Sequence, residues 1–443
     1  MKQALLPPEA LNAVASIRKA DIVVGIPSYN NARTIGHVTR AASLGLAKYF
    51  PQLKSVIINS DGGSTDQTRQ EVLSARLEEP NLLLVPTPMS AVHRLSLPYH
   101  GIPGKGSAFR LIFQMAKMLG VKACAVVDSD LRSITPEWID LLLRPVLQAG
   151  FDFVAPYYHR HKYDGTITNS IVYPLTRALY GLRVRQPIGG EFGFSNRLLR
   201  RYLERDDWET DVARYGIDIW MTTIAIAEGY RVCQSFLGAK LHDAKDPAAD
   251  LSAMLEQVVG SVFSLMQEYE TVWMKQSGSR PIDLFGFRYE VGLDPIEVNL
   301  ERMLAAFRRG CNELKEVFAQ ALAPETYAGL RMVAEQASSG PESFHIGDGL
   351  WTHVVIDFAC AWHHQRVGRS YLLKSLTPLY LGRVASFVIE TKTMISDEVE
   401  ERIERLCRWF ETEKPYLVAR WRGQPPPKEQ LSLLEKGEEE VRK

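Results

Sequence analysis

The sequence predicts a two-part chain: an α/β domain built on a mainly parallel sheet, followed by a mainly α-helical C-terminal region. Three observations carry this. Short apolar, β-branched runs recur through the first half with helix-like stretches between them. The runs are continuously apolar rather than alternating, which marks strands covered on both faces and hence a parallel sheet between helices. After Asp246-Pro247 the runs stop and helical periodicity takes over.

In chain order, residues 1–20 read as an amphipathic leader helix, without the long apolar core of a signal peptide. Strands are expected at 21–26 (DIVVGI), 55–59 (SVIIN), 82–85 (LLLV), 123–127 (ACAVV) and 151–155 (FDFVA), with a further apolar run, RVCQSFLGA, before His242. Ala108, Leu111, Ile112, Met115, Ala116 and Leu119 repeat with helical spacing, so a helix precedes the fourth strand. Pro136, after Ser133 and Thr135, starts another helix running to about 147. The expected division is a leader helix at 1–20, an α/β domain at 21–247, a helical domain at 248–423 and an exposed tail at 424–443.

Composition sets limits. The 443 residues leave room for two or three domains, at about 150 each. Hydrophobic residues at 46% and charged residues at 23% are ordinary for a globular protein. Lys+Arg and Asp+Glu both count 52, a zero balance that removes the electrostatic argument for nucleic-acid binding. The five cysteines lie far apart without a CxxC pair, as expected of buried thiols in a reducing compartment. No apolar run approaches the roughly 18 residues of a membrane span. A soluble, cytoplasmic protein is expected.

In open α/β sheets ligands bind beyond the carboxyl ends of the strands, and the polar motifs sit there. The first strand ends in Pro27-Ser28-Tyr29-Asn30-Asn31, which suits a base or ribose pocket, or a strand–helix turn with Asn31 as cap. The second ends in Asn59-Ser60-Asp61-Gly62-Gly63-Ser64-Thr65-Asp66. There Asp61 is placed to accept from a base or ribose, while Ser64 or Thr65 suits the cap of the next helix. Gly101-Ile102-Pro103-Gly104-Lys105-Gly106-Ser107 puts a glycine-flanked lysine before a helix. That arrangement suits a diphosphate or an exposed turn. It is not a Walker A loop, because Gly rather than Ser or Thr follows the lysine.

Asp128-Ser129-Asp130, directly after ACAVV, offers two carboxylates to one hard cation bridging a diphosphate. His242 is plausible as a third ligand, since imidazole suits Mn²⁺ better than Mg²⁺; taken alone it would read as structural. Gly189-Gly190-Glu191 and Gly216-Ile217-Asp218 each place one carboxylate in a glycine-bearing apolar segment. Glu191 and Asp218 are candidates to bind sugar hydroxyls or orient an acceptor, or are paired structural acids. His345, His353, His363 and His364 read as structural.

In order and spacing, IPSYNNARTI, NSDGGSTD, GKGSA, VVDSDL, QPIGGEF, YGIDI and the LH before DAKDP resemble nucleotide-sugar-dependent glycosyltransferases of the GT-A fold. More narrowly, they are similar to the glucosyl-3-phosphoglycerate synthase and glucosylglycerate synthase group, over roughly 20–250. The resemblance implies that Pro27, Tyr29, Asn30, Ser60 and Asp61 hold the nucleoside and that Lys105 reaches the donor phosphates. Asp128 would lie near ribose and metal, with Asp130 and His242 as direct ligands of Mg²⁺ or Mn²⁺. Gly189, Gly190 and Glu191 would line the sugar pocket, and Asp218 would face donor sugar or acceptor. Asp164-Gly165-Thr166-Ile167-Thr168-Asn169 matches the acceptor loop, with Thr166 and Thr168 at the acceptor. Asp130, Asp218 and Glu191 are the residues expected to carry catalysis.

Two departures bear on substrate. The phosphoglycerate enzymes carry arginine where Thr166 stands, and Asn where Ala244 stands. Loss of a guanidinium removes the natural bidentate partner of a phosphate. The expected reaction moves a hexose, glucose above all, from an NDP-sugar such as NDP-glucose to D-glycerate or a related hydroxy acid, giving a glucosylglycerate-type compatible solute. Nearby Arg160, His161 and Lys162 keep 3-phosphoglycerate as the alternative acceptor. The resemblance implies retention by front-face attack, and an inverting reaction with Asp218 as base stays open. A sugar nucleotidyltransferase is the competing class, although its glycine-rich loop normally follows the first strand, where PSYNN stands. A non-catalytic sugar-binding protein is a third reading. The helical region carries no motif of its own, and a homo-oligomer, a dimer, is expected.

Overall fold

A computed structural model describes residues 6–75, 92–99, 102–241, 251–289, 292–293, 296–337 and 344–425. Its contacts divide the chain into two compact units. The sheet unit comprises Met1–Arg160, Val184–Ala244 and Ile282–Leu293; the helical unit comprises His161–Arg183, Lys245–Pro281 and Asp294–Lys443. The linear division at 247 therefore differs from the observed one, because the chain leaves the sheet unit after Arg160 and re-enters it at Val184.

The sheet has eight strands: β1 Ile22–Ser28, β2 Ser55–Asp61, β3 His93–Pro98, β4 Ala123–Val126, β5 Phe153–His159, β6 Phe192–Ser195, β7 Val232–Ala239 and β8 Leu284–Phe285. Their order is β3-β2-β1-β4-β6-β5-β7-β8. Every neighbouring pair is parallel except the two that involve β6, which runs against both β4 and β5. The mainly parallel α/β sheet is thus as expected. The strand expected at 82–85 lies outside the described residues, while β3, β6 and β8 are additions to the sequence reading. β1 and β2 are buried along their whole length, which explains their unbroken apolar character.

The helices of this unit are α1 Pro8–Ile17, α2 Ala32–Tyr49, α3 Thr68–Ser74, α4 Lys105–Leu119, α5 Pro136–Ala149, α7 Asn196–Glu204 and α8 Ile217–Ala227, α6 being the Tyr173–Tyr180 helix of the other unit. One face of the sheet packs on α2 and α5 through Ile22, Val24, Ile26, Val38, Leu46, Ile139 and Leu142. On the other, Phe113 of α4 meets Phe194 of β6 edge to face and stacks on Tyr202 of α7. Continuous burial of β-branched and aromatic side chains on both faces fixes the register of the strands and hence the position of their ends.

The helical unit contains a π-helical segment, Thr168–Val172, running into α6, then α9 Ser252–Glu268, α10 Glu270–Trp273, α11 Leu300–Glu313, α12 Lys315–Ala321, α13 Pro324–Gln336, α14 Asp348–His363, α15 Arg369–Thr391, α16 Ser396–Thr412 and α17 Lys414–Trp421. Arg177 of α6 is buried and bonds Glu404 and Glu411 of α16 at 2.5 and 2.7 Å. His353 pairs with Glu413 at 2.9 Å and stacks on Tyr416, in line with a structural role. Among the described residues only α15 is long and apolar enough to cross a membrane, and 67% of its most apolar window is buried within the protein.

Candidate active site

β1, β2, β4, β5 and β7 run in one direction, so their carboxyl ends share one edge of the sheet. β6 is reversed, so its beginning falls on that same edge. Val126 pairs with Phe192, which brings Glu191 beside Asp128 across a separation of 63 residues; the Asp128 amide donates to Glu191 Oε1 at 3.4 Å.

Three loops of this edge form one hydrogen-bonded network. The Asn30 amide donates to Ser64 Oγ at 2.8 Å, and the Thr65 amide to Asn30 Oδ1 at 2.9 Å. Asn30 holds a left-handed conformation, φ +54°, which asparagine tolerates better than most residues. Ser129 Oγ donates to Asn31 Oδ1 at 2.8 Å, and Thr34 Oγ1 to the Ser129 carbonyl at 2.8 Å. Asn31 therefore stands at the helix N-cap position without capping through its side chain. Ser64 and Thr65 are likewise not the cap of α3, which starts at Thr68.

Asp61 accepts from Ser28 Oγ, Ser64 Oγ and the amides of Gly63 and Ser64 at 2.6–3.0 Å. These four bonds tie the Asp61 carboxylate to the end of β1 and to its own loop, so it is not presented as a bare carboxylate. Ser60 is buried with its hydroxyl unpartnered, Pro27 lies opposite it across the β1–β2 pair, and the Tyr29 ring is exposed.

Next to this network lies a chain of charges. Lys105, the first residue of α4, places Nζ 2.8 Å from Asp128 Oδ1 and 3.1 Å from Asp218 Oδ2. A cation at a helix N-terminus is electrostatically disfavoured and an anion is favoured there. Asp218, in the first turn of α8, obeys this preference, and the two carboxylates offset the cost at Lys105. Lys240, just past β7, places Nζ 3.0 Å from Asp128 Oδ2, 2.9 and 3.0 Å from the two Glu191 oxygens and 2.7 Å from the Gly189 carbonyl. Tyr158 of β5 donates to Glu191 Oε2.

Burial opposes ionisation throughout this cluster, and the neighbours decide each outcome. At Asp128 the ammonium groups of Lys105 and Lys240 outweigh burial and hold the carboxyl well below its usual range. Burial pushes Glu191 up to about 7, with Asp128 adding to it and Lys240 and Tyr158 opposing. Asp218 is also raised by burial, against the pull of Lys105. Both lysines are held protonated: burial works against them, and Asp128 with Asp218 or Glu191 overcomes it.

Two glycines are required by close approach. Gly190 has φ +96°, and a Cβ there would lie 2.4 Å from Asp128 Oδ2 and 3.1 Å from Lys240 Nζ. A Cβ on Gly106 would lie 1.8 Å from the Val212 carbonyl, so this glycine of the GKG motif serves helix packing against the Asp211–Ala213 turn. Gly101 lies outside the described residues.

Asp130 is half-buried and makes no hydrogen bond or ion pair among the described residues. Asp218 Oδ1 is buried without a partner. Unclaimed carboxylate oxygens are donors of the kind that a hard divalent cation takes. Among the described residues no three His, Cys, Asp or Glu side chains form a metal-binding group, and His242 lies outside them, as does Ala244. Thr166 and Thr168 belong to the helical unit. There Thr166 Oγ1 bonds the Tyr380 hydroxyl at 2.5 Å, and Thr168 opens the π-helical segment.

Sequence reasoning missed Lys240 and Tyr158. The only signal for Lys240 was its place two residues before His242, and Tyr158 had none.

Part of the chain matches a known family model. Residues 90–267 match the model of the mannosylglycerate synthase glycosyltransferase domain. The mainly parallel sheet followed by a helical region is the fold class expected from the sequence. Among solved structures the chain is similar to glucosyl-3-phosphoglycerate synthase from Mycobacterium tuberculosis in complex with Mg²⁺ and uridine diphosphate. That match has 22% identity and a TM-score of 0.41, and covers 59% of this chain and 85% of that one. The complex of the same enzyme with Mn²⁺, uridine diphosphate and glucosyl-3-phosphoglycerate gives 23% identity and a TM-score of 0.42, covering 60% and 85%. Its complex with Mn²⁺, UDP-glucose and phosphoglyceric acid gives 22% and 0.41, covering 60% and 86%. None of the curated proteins matches the chain.

Proposed function

We propose that the protein is a hexosyltransferase that moves a sugar, glucose above all, from a nucleoside-diphosphate donor to D-glycerate or a closely related hydroxy acid. The observation that carries this is the position of Lys105, whose ammonium meets Asp128 and Asp218 at the carboxyl edge of the sheet. It stands next to the loop network of Asn30, Ser64 and Ser129.

Transfer of a glycosyl group leaves negative charge on the diphosphate and positive charge on the anomeric carbon. Lys105 is the cation available to the first of these. Asp128, Asp130 and His242 would hold a divalent cation, which when bound would supply further compensation of the phosphate charge. Glu191 and Asp218 carry carboxyl oxygens suited to sugar hydroxyls. Glu191, buried and held by Lys240 and Tyr158, is fixed in position and suits orientation rather than attack. Retention without a protein nucleophile accords with that reading. Asp128, kept ionised by two lysines, acts as the fixed negative centre that positions both ammonium groups.

For the acceptor, Thr166 replaces a guanidinium with a hydroxyl, which favours an unphosphorylated hydroxy acid. Initial rates for a panel of nucleotide sugars, with D-glycerate and with 3-phosphoglycerate and with Mg²⁺ or Mn²⁺, test the assignment. The expected result is nucleoside-diphosphate release with a preference for D-glycerate. A strong preference for 3-phosphoglycerate overturns the acceptor, and pyrophosphate release overturns the class.

A further inference from the structure

The two glycines around Lys105 seat a second cation. A Cβ on Gly104 would lie 2.4 Å from the Ala213 carbonyl oxygen, 2.9 Å from Arg214 Cα and 3.0 Å from Arg214 Cγ. Gly106 is closed off in the same way by Val212. Segment 212–214 therefore docks on the start of α4, and the stem of Arg214 rests on the residue that precedes Lys105. The same loop runs on through Tyr215 and Gly216 into α8 and Asp218.

The charges here are unequally matched. Lys105 is shared by Asp128 at 2.8 Å and Asp218 at 3.1 Å. Lys240 is taken up by Asp128, Glu191 and the Gly189 carbonyl. Arg214 reaches Asp211 alone among the described residues, at 3.9 Å, with side chains 48% and 43% exposed. That separation is too long for a hydrogen bond, and an exposed pair of this kind is worth little. Burial pushes the Asp211 carboxyl up against the pull of Arg214, which weakens it further as a partner. Gly104 offers no side chain to cap α4, so the positive end of that helix is uncovered beside Arg214.

A nucleoside diphosphate brings more negative charge than one ammonium can meet, and Lys105 already answers to two carboxylates. We propose that Arg214 is a second donor-binding residue, whose planar fork takes two oxygens of the sugar-linked phosphate beside Lys105. The order of contacts selects that phosphate. Ser129 ties the nucleoside loops to the turn of Asp128, Lys105 leads from Asp128 to Asp218, and Arg214 stands on the Asp218 side. Charge growing there as the glycosyl bond breaks meets a guanidinium as well as an ammonium. The inference rests on the donor reading given above.

Calorimetric titration of the full chain in Mg²⁺ tests it, with uridine, guanosine and adenosine diphosphates each beside its monophosphate. Wild type is compared with Arg214→Ala, Arg214→Lys, Asp211→Asn and Lys105→Ala. The diphosphate that binds wild type is expected to bind Arg214→Ala about tenfold more weakly, with Arg214→Lys in between and the monophosphate unchanged. Asp211→Asn releases the guanidinium without removing it, so the diphosphate is expected to bind at least as tightly as to wild type. Circular dichroism checks the fold; if Arg214→Ala does not fold, Arg214→Lys decides. Equal diphosphate affinity in wild type and Arg214→Ala overturns the proposal, as does an equal loss for monophosphate and diphosphate. A loss in Asp211→Asn as large as in Arg214→Ala marks a merely structural pair and overturns it too. If Lys105→Ala weakens the diphosphate while Arg214→Ala does not, the donor site stands and Arg214 alone leaves it. If no diphosphate binds wild type, the donor reading fails together with the inference.

Discussion

Replacing Glu191 with glutamine removes one titrating proton from the centre of the charge cluster. Glu191 is fully buried, and its carboxyl is pushed from an ordinary value of 4.5 up to about 7, first by burial and then by Asp128, with Lys240 opposing. The folded protein therefore binds this proton more tightly than the unfolded chain does. Such a group adds stability that is fully present below pH 4.5 and is lost as pH rises through about 7. From 4.5 to about 7, at about 1.4 kcal/mol per unit, the loss is about 3 kcal/mol. Glutamine keeps the shape and an acceptor oxygen for Lys240 and Tyr158 but cannot titrate. Urea unfolding of the sheet unit at about pH 5 and about pH 8 reads the effect. Wild type is expected to lose about 2.5 kcal/mol more than Glu191→Gln over that interval. Titrations elsewhere cancel in the difference. Equal losses in the two proteins would refute the shifted carboxyl and the description of Glu191 as a buried acid opposed by Asp128.

Three further outcomes follow from the same geometry. Asp130→Ala is expected to abolish metal-dependent turnover with unchanged circular dichroism, since its carboxylate bonds nothing among the described residues; full activity in chelator counts against the metal assignment. Lys105→Ala is expected to weaken nucleoside-diphosphate binding by about tenfold to a hundredfold, the worth of hydrogen bonds to charged groups, and an unchanged titration would remove Lys105 from the donor site. Gly190→Ala is expected to cost about 1–3 kcal/mol for a strained left-handed residue and to reduce turnover, because its Cβ meets Asp128 Oδ2 at 2.4 Å. A melting temperature equal to wild type would contradict that contact.

Much of the sheet was legible because burial on both faces writes a strand as an apolar run: DIVVGI, SVIIN and ACAVV became β1, β2 and β4. Lys105, Asp128 and Asp218 could be picked out because polar residues at strand ends or helix starts need a reason. β6 could not, since FGFS is four residues long with a glycine, and its reversed direction depends on pairing with β4 and β5. Lys240 escaped because a lysine after an apolar run reads as the strand's solvated exit, and its burial arises only when Glu191 arrives from another strand. The passage of 161–183 into the helical unit was equally hidden. It is decided by long-range partners such as Arg177 with Glu404 and Glu411, which local periodicity does not encode.

The reversed strand has an effect at each of its extremities. Where β6 starts, Glu191 is delivered to Lys240. Where it stops, Ser195 caps α7 by accepting from the Leu198 amide and bonds Asp152. Slippage by a single residue would turn its aromatic side chains to the wrong face, and would withdraw the acid from the cluster and the hydroxyl from the helix together. Four residues thus act as a gauge block between two distant fittings. Length changes between Glu191 and Ser195 should therefore be far less tolerable than insertions in the turns on either side.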